Sequence, residues 1–577
     1  MDQPDELEAQ RTGWISASAT HNYVQENTLV DWLNALGKQA GFLPDQERLG
    51  YDRRFDYVSC MLRQSWAFEK EVVAWLSTQN QLRVIATNPS QARVLAKAEE
   101  TIAAMRAGVE IIAQAVLWNQ DDGWDGMPDL LVRSDILAQL CPAAFAYEKP
   151  GATTIPAPFL GDAPYHYRVV DIKFTTLQLL QDGEATREHL AYKVQNRIYN
   201  EMLGKTQGYT PPASYLLGRD LFRAIGRVTH SDPELARLTS EAAAWLRRLQ
   251  QDGATWQVLP IPTVPELRPN LKAWQDLKWH AAKREIAILQ HDLTLLPYVG
   301  PDRRALAAAK GITRWDDPGL SAQVLGLDGE WGRRLDAVLA ANRRAGDKVV
   351  FPARVASNIG NWQQPAAGDC FVIVGSVTDQ ADDFSQLPER GGLPMVYMIT
   401  WGWLSGDGRW QCEQLVARDL SLAAEAELKA VCKKKLTHIA EEVGVPVEQL
   451  RLFHWGIPQV PWPDANWYDL LDNVIYREPV AVRGALGFGL PKVAQALYDL
   501  GLIATSLPHL PAEPTAPLSA MAGVWSAAEE AAEQGWSLEQ TPVVQTIGLY
   551  AQAACKSMME ILVVLRGQAS AALSEAA

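Results

Sequence analysis

The sequence predicts an α/β protein of several domains, and three observations carry that reading. The chain has 577 residues, and at roughly 150 residues per domain this suggests about three or four domains. Hydrophobic residues make up 47% and charged residues 21%, close to the globular average, which excludes a disordered or fibrous chain. Along the chain, apolar residues spaced by three and four alternate with β-branched runs of period two. A chain of this length buries most of its apolar surface without staples.

The elements follow in order. Residues 28–36 (TLVDWLNAL) and 67–76 (AFEKEVVAWL) have helical apolar spacing. Residues 111–118 (IIAQAVLW) and 129–133 (DLLVR) read as strands. The Pro- and Gly-rich stretch 149–164 is a loop, followed by a strand at 165–174 (YHYRVVDIKF). Residues 186–204 read as a helix with Gly204 as its C-cap. A Pro-rich connector at 259–270 leads into helices that run to about 345. From 346 the texture changes to short strands, including 369–376 and 395–401, and ends in a helix at 544–566.

Charge and cysteines bound the function. The net charge of −15 excludes a simple basic nucleic-acid coat but leaves room for a metal site built of carboxylates. Residues 211–360 nevertheless carry a balance of +5, with pairs such as Arg247/Arg248, Lys283/Arg284, Arg303/Arg304 and Arg343/Arg344. Cys60, Cys141, Cys370, Cys412, Cys432 and Cys555 are scattered, so no CxxC pair exists and no iron–sulfur cluster is expected. Such thiols fit a reducing compartment. The acidic opening MDQPDELEAQ excludes a secretory signal, and no apolar run approaches the roughly 18 residues of a membrane span. The expectation is a cytoplasmic protein without membrane contact. No GxSxG elbow, HxxxH or HxH spacing or GxxxxGK[ST] loop occurs, which argues against serine hydrolysis, a zinc site and ATPase activity.

The chemistry concentrates between residues 69 and 199. In the strand YRVVDIKF, Asp171 and Lys173 lie two apart and project to one face, while Ile172 points into the core. In GMPD, Gly126 and Pro128 shape a turn and Asp129 opens the next strand. On the 67–76 helix, Glu69 lies about 50° from the centre of the apolar face formed by Phe68, Val72, Val73, Trp75 and Leu76, whereas Glu71 lies roughly 110° away and faces water. An acid turned inward needs a partner or a metal. Gln195 and Tyr199 (QNRIY) lie one turn apart on one helix face. Taken singly, each has an ordinary structural explanation: an ion pair, a turn residue, a surface Gln beside a packed Tyr.

Together, FE (68–69), GMPD (126–129), DIK (171–173) and QNRIY (195–199) resemble the helical Glu, GxxD, DxK and QxxxY motifs of the RecB-like nucleases in the PD-(D/E)xK superfamily. The resemblance implies a restriction-endonuclease-like core over 1–218, a mixed sheet flanked by helices. It implies phosphodiester hydrolysis in DNA with Mg²⁺ or Mn²⁺ held by Glu69, Asp129, Asp171 and the backbone carbonyl of Ile172. Lys173 would orient water or steady charge, and Gln195 and Tyr199 would touch phosphate.

Residues 219–345 form a helical, locally basic segment. Within it, TLLPYVGPDRRALAAAKGITR (294–314) resembles a helix-hairpin-helix element, with Gly300 in the turn and Arg303 and Arg304 as DNA contacts; an ordinary αα-hairpin is the alternative. Residues 346–577 resemble an RNase H-like exonuclease domain, on segments 451–456, 466–502 and 547–565. Its acids look lost: 348–357, aligned with the first strand, offers Pro352 and Arg354; Gln459 and Ala554 replace two others; Asp469 alone remains. The domain therefore reads as catalytically silent, serving folding, DNA contact or a protein partner. The alternatives are a non-catalytic nucleic-acid-binding scaffold, or an RNase using the same site.

Overall fold

The computed structural model describes residues 13–574 apart from 277, 345, 347, 353–354, 379–393, 458–459 and 513–515. The acidic opening at 1–10, Arg354 and Gln459 lie outside the described residues. The fold is mixed α/β, as the alternating periodicities predict.

In the first half the strands are β1 (Ile15–Ser16), β2 (Leu82–Val84), β3 (Ile111–Ala113), β4 (Leu117–Asn119), β5 (Trp124–Gly126), β6 (Leu130–Arg133), β7 (Tyr167–Ile172), β8 (Ala213–Leu217) and β9 (Ile225–Thr229). They form a six-stranded sheet of order β2-β3-β6-β7-β8-β9 and a three-stranded sheet of order β1-β5-β4. β7 runs antiparallel to β6 and parallel to β8. All six of its residues are buried, as a central strand covered on both faces requires. Val170 and Ile172 pack with Phe68, Val72 and Leu76 of the Tyr57–Ser77 helix. Tyr167 and Val169 pack on the other face with Val194, Ile198 and Met202 of the Leu190–Gln207 helix. By the period of two, Asp171 belongs to this second face.

Three local expectations are corrected. Residues 111–118 are two strands in different sheets, because Gln114 adopts φ +51° and ends β3. A non-glycine residue there turns the chain sharply. The helix expected to end at Gly204 runs to Gln207, and Gly208, with φ +77°, is its C-cap. Trp75, expected on the buried face, is 40% exposed and lies 6.0 Å from the Phe222 ring, while Phe68, Val72 and Leu76 bury as expected.

The middle of the chain is helical, with helices Pro233–Asp252, His280–Gln290, Pro301–Ala308 and Gly329–Arg343. Beyond it lie β10 (Val350–Phe351), β11 (Asp369–Val377), β12 (Met395–Leu404), β13 (Trp410–Val416), β14 (Arg451–His454), β15 (Trp467–Asp469) and β16 (Ala481–Val482). A five-stranded sheet has the order β13-β12-β11-β14-β15, antiparallel from β13 to β11 and parallel from β11 to β15. The segment 348–357 is not its first strand. Among its described residues it supplies only β10, paired with β16 in a separate two-stranded ladder. Pro352 follows at once, and a proline cannot donate within a central strand. The strand that leads the sheet is β11.

The Pro542–Ser574 helix packs against β11, β12 and the Leu490–Asp499 helix. By length and composition its 542–567 stretch is the one candidate membrane span among the described residues, and half of the qualifying window is buried inside the protein.

Candidate active site

Strand register assembles the site. Ala113 pairs with Leu130, and Leu130 with Val170. The next residues along, Gln114, Asp129 and Asp171, therefore stand in a row across the ends of β3, β6 and β7. The Asp129 Oδ2 accepts the Ile172 N–H at 2.7 Å. Lys173, one residue past β7, puts its Nζ 2.6 Å from Asp171 Oδ2. The Asp171 side chain is 1% exposed and that of Lys173 17%. Glu69 enters from the Tyr57–Ser77 helix and accepts a hydrogen bond from the Gln114 amide, which also reaches Asp129 Oδ1 at 3.5 Å. Glu71 is exposed, as its position on the helical wheel predicts.

The electrostatics follow from crowding three acids around one base. Burial and the Asp171 charge raise the Glu69 carboxyl above its ordinary value, against the pull of Lys173 and Gln114. Burial, then Asp171 and Glu69, push Asp129 well above the carboxylate range, with Lys173 opposing. Burial alone would lower Lys173, but Asp171 and Asp129 outweigh it and keep the ammonium charged.

The QNRIY pair is also at the site. Gln195 Nε2 donates to the Tyr199 hydroxyl at 2.8 Å. Tyr199 is 3% exposed, and burial and Asp171 raise its pKa. Gly126 makes room for it: a Cβ at Gly126 would sit 2.5 Å from Tyr199 Cε1 and 2.8 Å from Met202 Cε. The glycine of GxxD thus exists for the tyrosine of QxxxY. Gly126→Ala is expected to destabilise the protein by about 1–3 kcal/mol, an overpacking cost. A chemical-denaturation midpoint unchanged from wild type would refute this.

Gln114 is the site residue that motif spacing missed. Its backbone N–H donates to the Asp129 carbonyl at 2.8 Å, and its carbonyl accepts from Ala86 at 3.1 Å. Its amide offers positive hydrogen atoms to two carboxylates. A strained φ of this kind marks a position held by its surroundings, and no composition signal announces it. Tyr192, on the Leu190–Gln207 helix, also borders the site, with Lys173 Nζ 5.1 Å from its ring centroid.

The donor set has the chemistry of a hard divalent cation: three carboxylates in mutual repulsion that positive charge would relieve. As the side chains stand, no group of three His, Cys, Asp or Glu among the described residues is disposed to hold a metal ion. Positive charge and N–H groups come instead from Lys173 and Gln114.

The middle segment departs from its expectation. Gly300 is the N-cap of the Pro301–Ala308 helix, but what precedes it is a three-residue 3₁₀ turn, Leu293–Leu295, not a helix. Arg304 bonds internally, to the Pro269 carbonyl and to Asp292 Oδ2 at 3.1 Å. Asp292 is fully buried, so Arg304 answers a buried charge. Arg303 donates to the Tyr298 carbonyl at 3.1 Å.

In the C-terminal region, Asp469 Oδ1 accepts backbone N–H groups from Gly456 at 3.0 Å and Leu471 at 2.8 Å, which makes it a turn cap. Ala554 is fully buried in the last helix. β11 carries one acid, Asp369, tied to Arg451 at 2.5 Å and Arg566 at 2.8 Å.

Comparison with protein families, with curated proteins and with solved structures finds no match for this chain.

Proposed function

We propose that the protein is a metal-dependent DNA nuclease of RecB-like type, with its catalytic core in residues 1–218. The observation that carries the reading is the row of Asp129 and Asp171 at adjacent strand ends, with Lys173 ion-paired beside them and Glu69 arriving from a helix. Glu69, Asp129, Asp171 and the Ile172 carbonyl would hold Mg²⁺ or Mn²⁺. The bound ion would lower the pKa of water and offset charge on phosphate. Lys173 keeps its proton and faces developing negative charge. Tyr199, oriented by Gln195, limits where a phosphate can sit. The substrate is DNA with single-stranded regions or ends, in repair, recombination, replication or a phage-related process.

For 346–577, the strand order β13-β12-β11-β14-β15 supports the RNase H-like reading. The single Asp369, held by two arginines, and the capping role of Asp469 support a silent domain. Its role is then DNA contact or protein docking.

A scaffold whose nuclease core is idle is the second reading, favoured by the Gln114 and Lys173 contacts that already occupy the carboxylates. A cleavage panel decides between them. Single-stranded, blunt, flapped and circular DNA, and matched RNA, are incubated with Mg²⁺, Mn²⁺ or EDTA. Divalent-dependent cleavage of DNA is expected. Intact substrates throughout would sink the nuclease reading, and cleavage confined to RNA would convert it to a ribonuclease.

A further inference from the structure

The helix that carries QNRIY brings a third residue to the site. Tyr192, Gln195 and Tyr199 all lie on the Leu190–Gln207 helix. Their spacing of three and four residues puts them within about 60° of one another, at 100° per residue. Val194, Ile198 and Met202 form the neighbouring stripe and pack into the core. Gln195 and Tyr199 bond to each other at 2.8 Å. Tyr192 meets Lys173 instead, with the Lys173 Nζ 5.1 Å from the centre of its ring.

Other elements hold that ring in place. The His21 ring centre lies 5.6 Å from it, with 44° between the planes, and the His189 ring stacks at 6.4 Å and 15°. His21 is itself anchored from the middle of the chain. Its Nε2 lies 2.8 Å from Gln275 Oε1, an oxygen that only accepts, so Nε2 carries the proton. The same oxygen accepts from Gln25 Nε2 at 3.2 Å. His189 Nε2 accepts the Gln178 N–H at 3.0 Å, which fixes the second imidazole. Burial lowers the His21 pKa, against the Gln275 bond, and the Lys173 charge lowers it further. His21 therefore favours the neutral form and sets no second cation against the ammonium.

An aromatic face attracts an ammonium through its quadrupole and takes up no N–H group in doing so. The Asp171 contact, at 2.6 Å, is of another kind, because Asp171 is also assigned above to a divalent cation. The Tyr192 ring holds Lys173 without drawing on a metal ligand. With its side chain 17% exposed, Lys173 keeps a side open to substrate.

We propose that Tyr192 is a positioning residue for Lys173, its ring holding the ammonium beside Asp171 with N–H groups left for water or the scissile phosphate. This inference rests on the nuclease reading and deepens it. The working face of the helix is then Tyr192, Gln195 and Tyr199 together.

The test is a double-mutant cycle on the full chain, read as single-turnover cleavage of a fluorescent single-stranded oligonucleotide with Mg²⁺. Tyr192→Leu is expected to slow the cleavage step about 10-fold, equivalent to about 1.4 kcal/mol and within the range of a partly desolvated cation–π contact. The substrate concentration for half-maximal rate should not move. Tyr192→Phe keeps the ring and drops the hydroxyl, and should hold the rate within about twofold of wild type. In a Lys173→Met background, measured at high enzyme concentration, Tyr192→Leu should cost nothing further. A side chain that merely packs its helix would lower both backgrounds alike. Equal losses therefore overturn the proposal, as does a Tyr192→Phe variant as slow as Tyr192→Leu. If Tyr192→Leu does not fold, Tyr192→Met carries the same comparison, since it fills more of the ring's volume without a π face. A wild-type chain that cleaves nothing with any divalent cation sinks the nuclease reading. The ring–ammonium contact is then read from denaturation midpoints in EDTA: Tyr192→Leu should lower the midpoint more with Lys173 present than in Lys173→Met, and additive midpoints overturn it.

Discussion

Asp171→Ala is expected to reduce divalent-dependent DNA cleavage to background, and Lys173→Ala to reduce it by roughly 10²–10³-fold, the loss typical of a group that steadies transition-state charge. The two variants should part in stability. Asp171 is the neighbouring charge that most raises both Glu69 and Asp129, so removing it relieves repulsion and should leave the fold as stable or more so. Removing Lys173 takes away the cation that opposes both shifts and leaves three crowded acids, which should destabilise. The pH dependence follows in sign. Glu69 and Asp129 titrate higher in the folded state than in the unfolded chain, so the folded protein binds more protons between the ordinary carboxylate range, about 4, and the raised values. Stability therefore falls as pH rises through that window. Asp171→Asn should flatten the fall, read as denaturation midpoints across the window. Full cleavage by either alanine variant in a clean preparation, or an identical pH profile in Asp171→Asn, would defeat the electrostatic account.

Much of this site was legible because its signals are periodic. Asp171 and Lys173 are two apart at the end of β7, Gln195 and Tyr199 four apart on a helix, and Glu69 lies on a buried helical face; sequence spacing alone puts each pair in reach. Gln114 was not legible. It sits inside IIAQAVLW, a run that reads as one strand, and only its left-handed backbone reveals that the chain turns there and aims its amide at two acids. The first strand of the C-terminal sheet was misassigned for a related reason. KVVFPARVAS is as β-branched as a core strand, and what demotes it is the pairing of β10 with β16, a contact 130 residues distant that no local pattern encodes. Arg304 failed in the same way. An arginine in a basic pair looks free until the fold brings the buried Asp292 to it.

Glu148→Ala is expected to destabilise the protein by about 3–5 kcal/mol, the largest effect on stability anticipated here, because it strands a buried charge. Arg168 is fully buried on β7, three residues before Asp171. It meets both Glu148 oxygens, at 2.8 and 2.7 Å, and donates to His166 Nε2 at 2.7 Å and the Ala213 carbonyl at 3.1 Å. The His166 contact sets that ring as a neutral acceptor, whose Nδ1 is 2.9 Å from the Ile155 carbonyl. Burial and the Arg168 charge hold His166 down at about 4. The network thus pins β7 to the loop before it and to β8. With Glu148 gone, the guanidinium keeps its charge and loses its only carboxylate partner among the described residues. A neutral replacement of the pair, Arg168→Met with Glu148→Leu, should recover most of the loss, since it removes the buried charges together. Cleavage separates this anchor from the site it supports: the double variant should retain divalent-dependent activity at permissive temperature, whereas Asp171→Ala should not. A Glu148→Ala protein with wild-type denaturation behaviour, or a double variant no more stable than the single one, would show that the pair does not anchor β7.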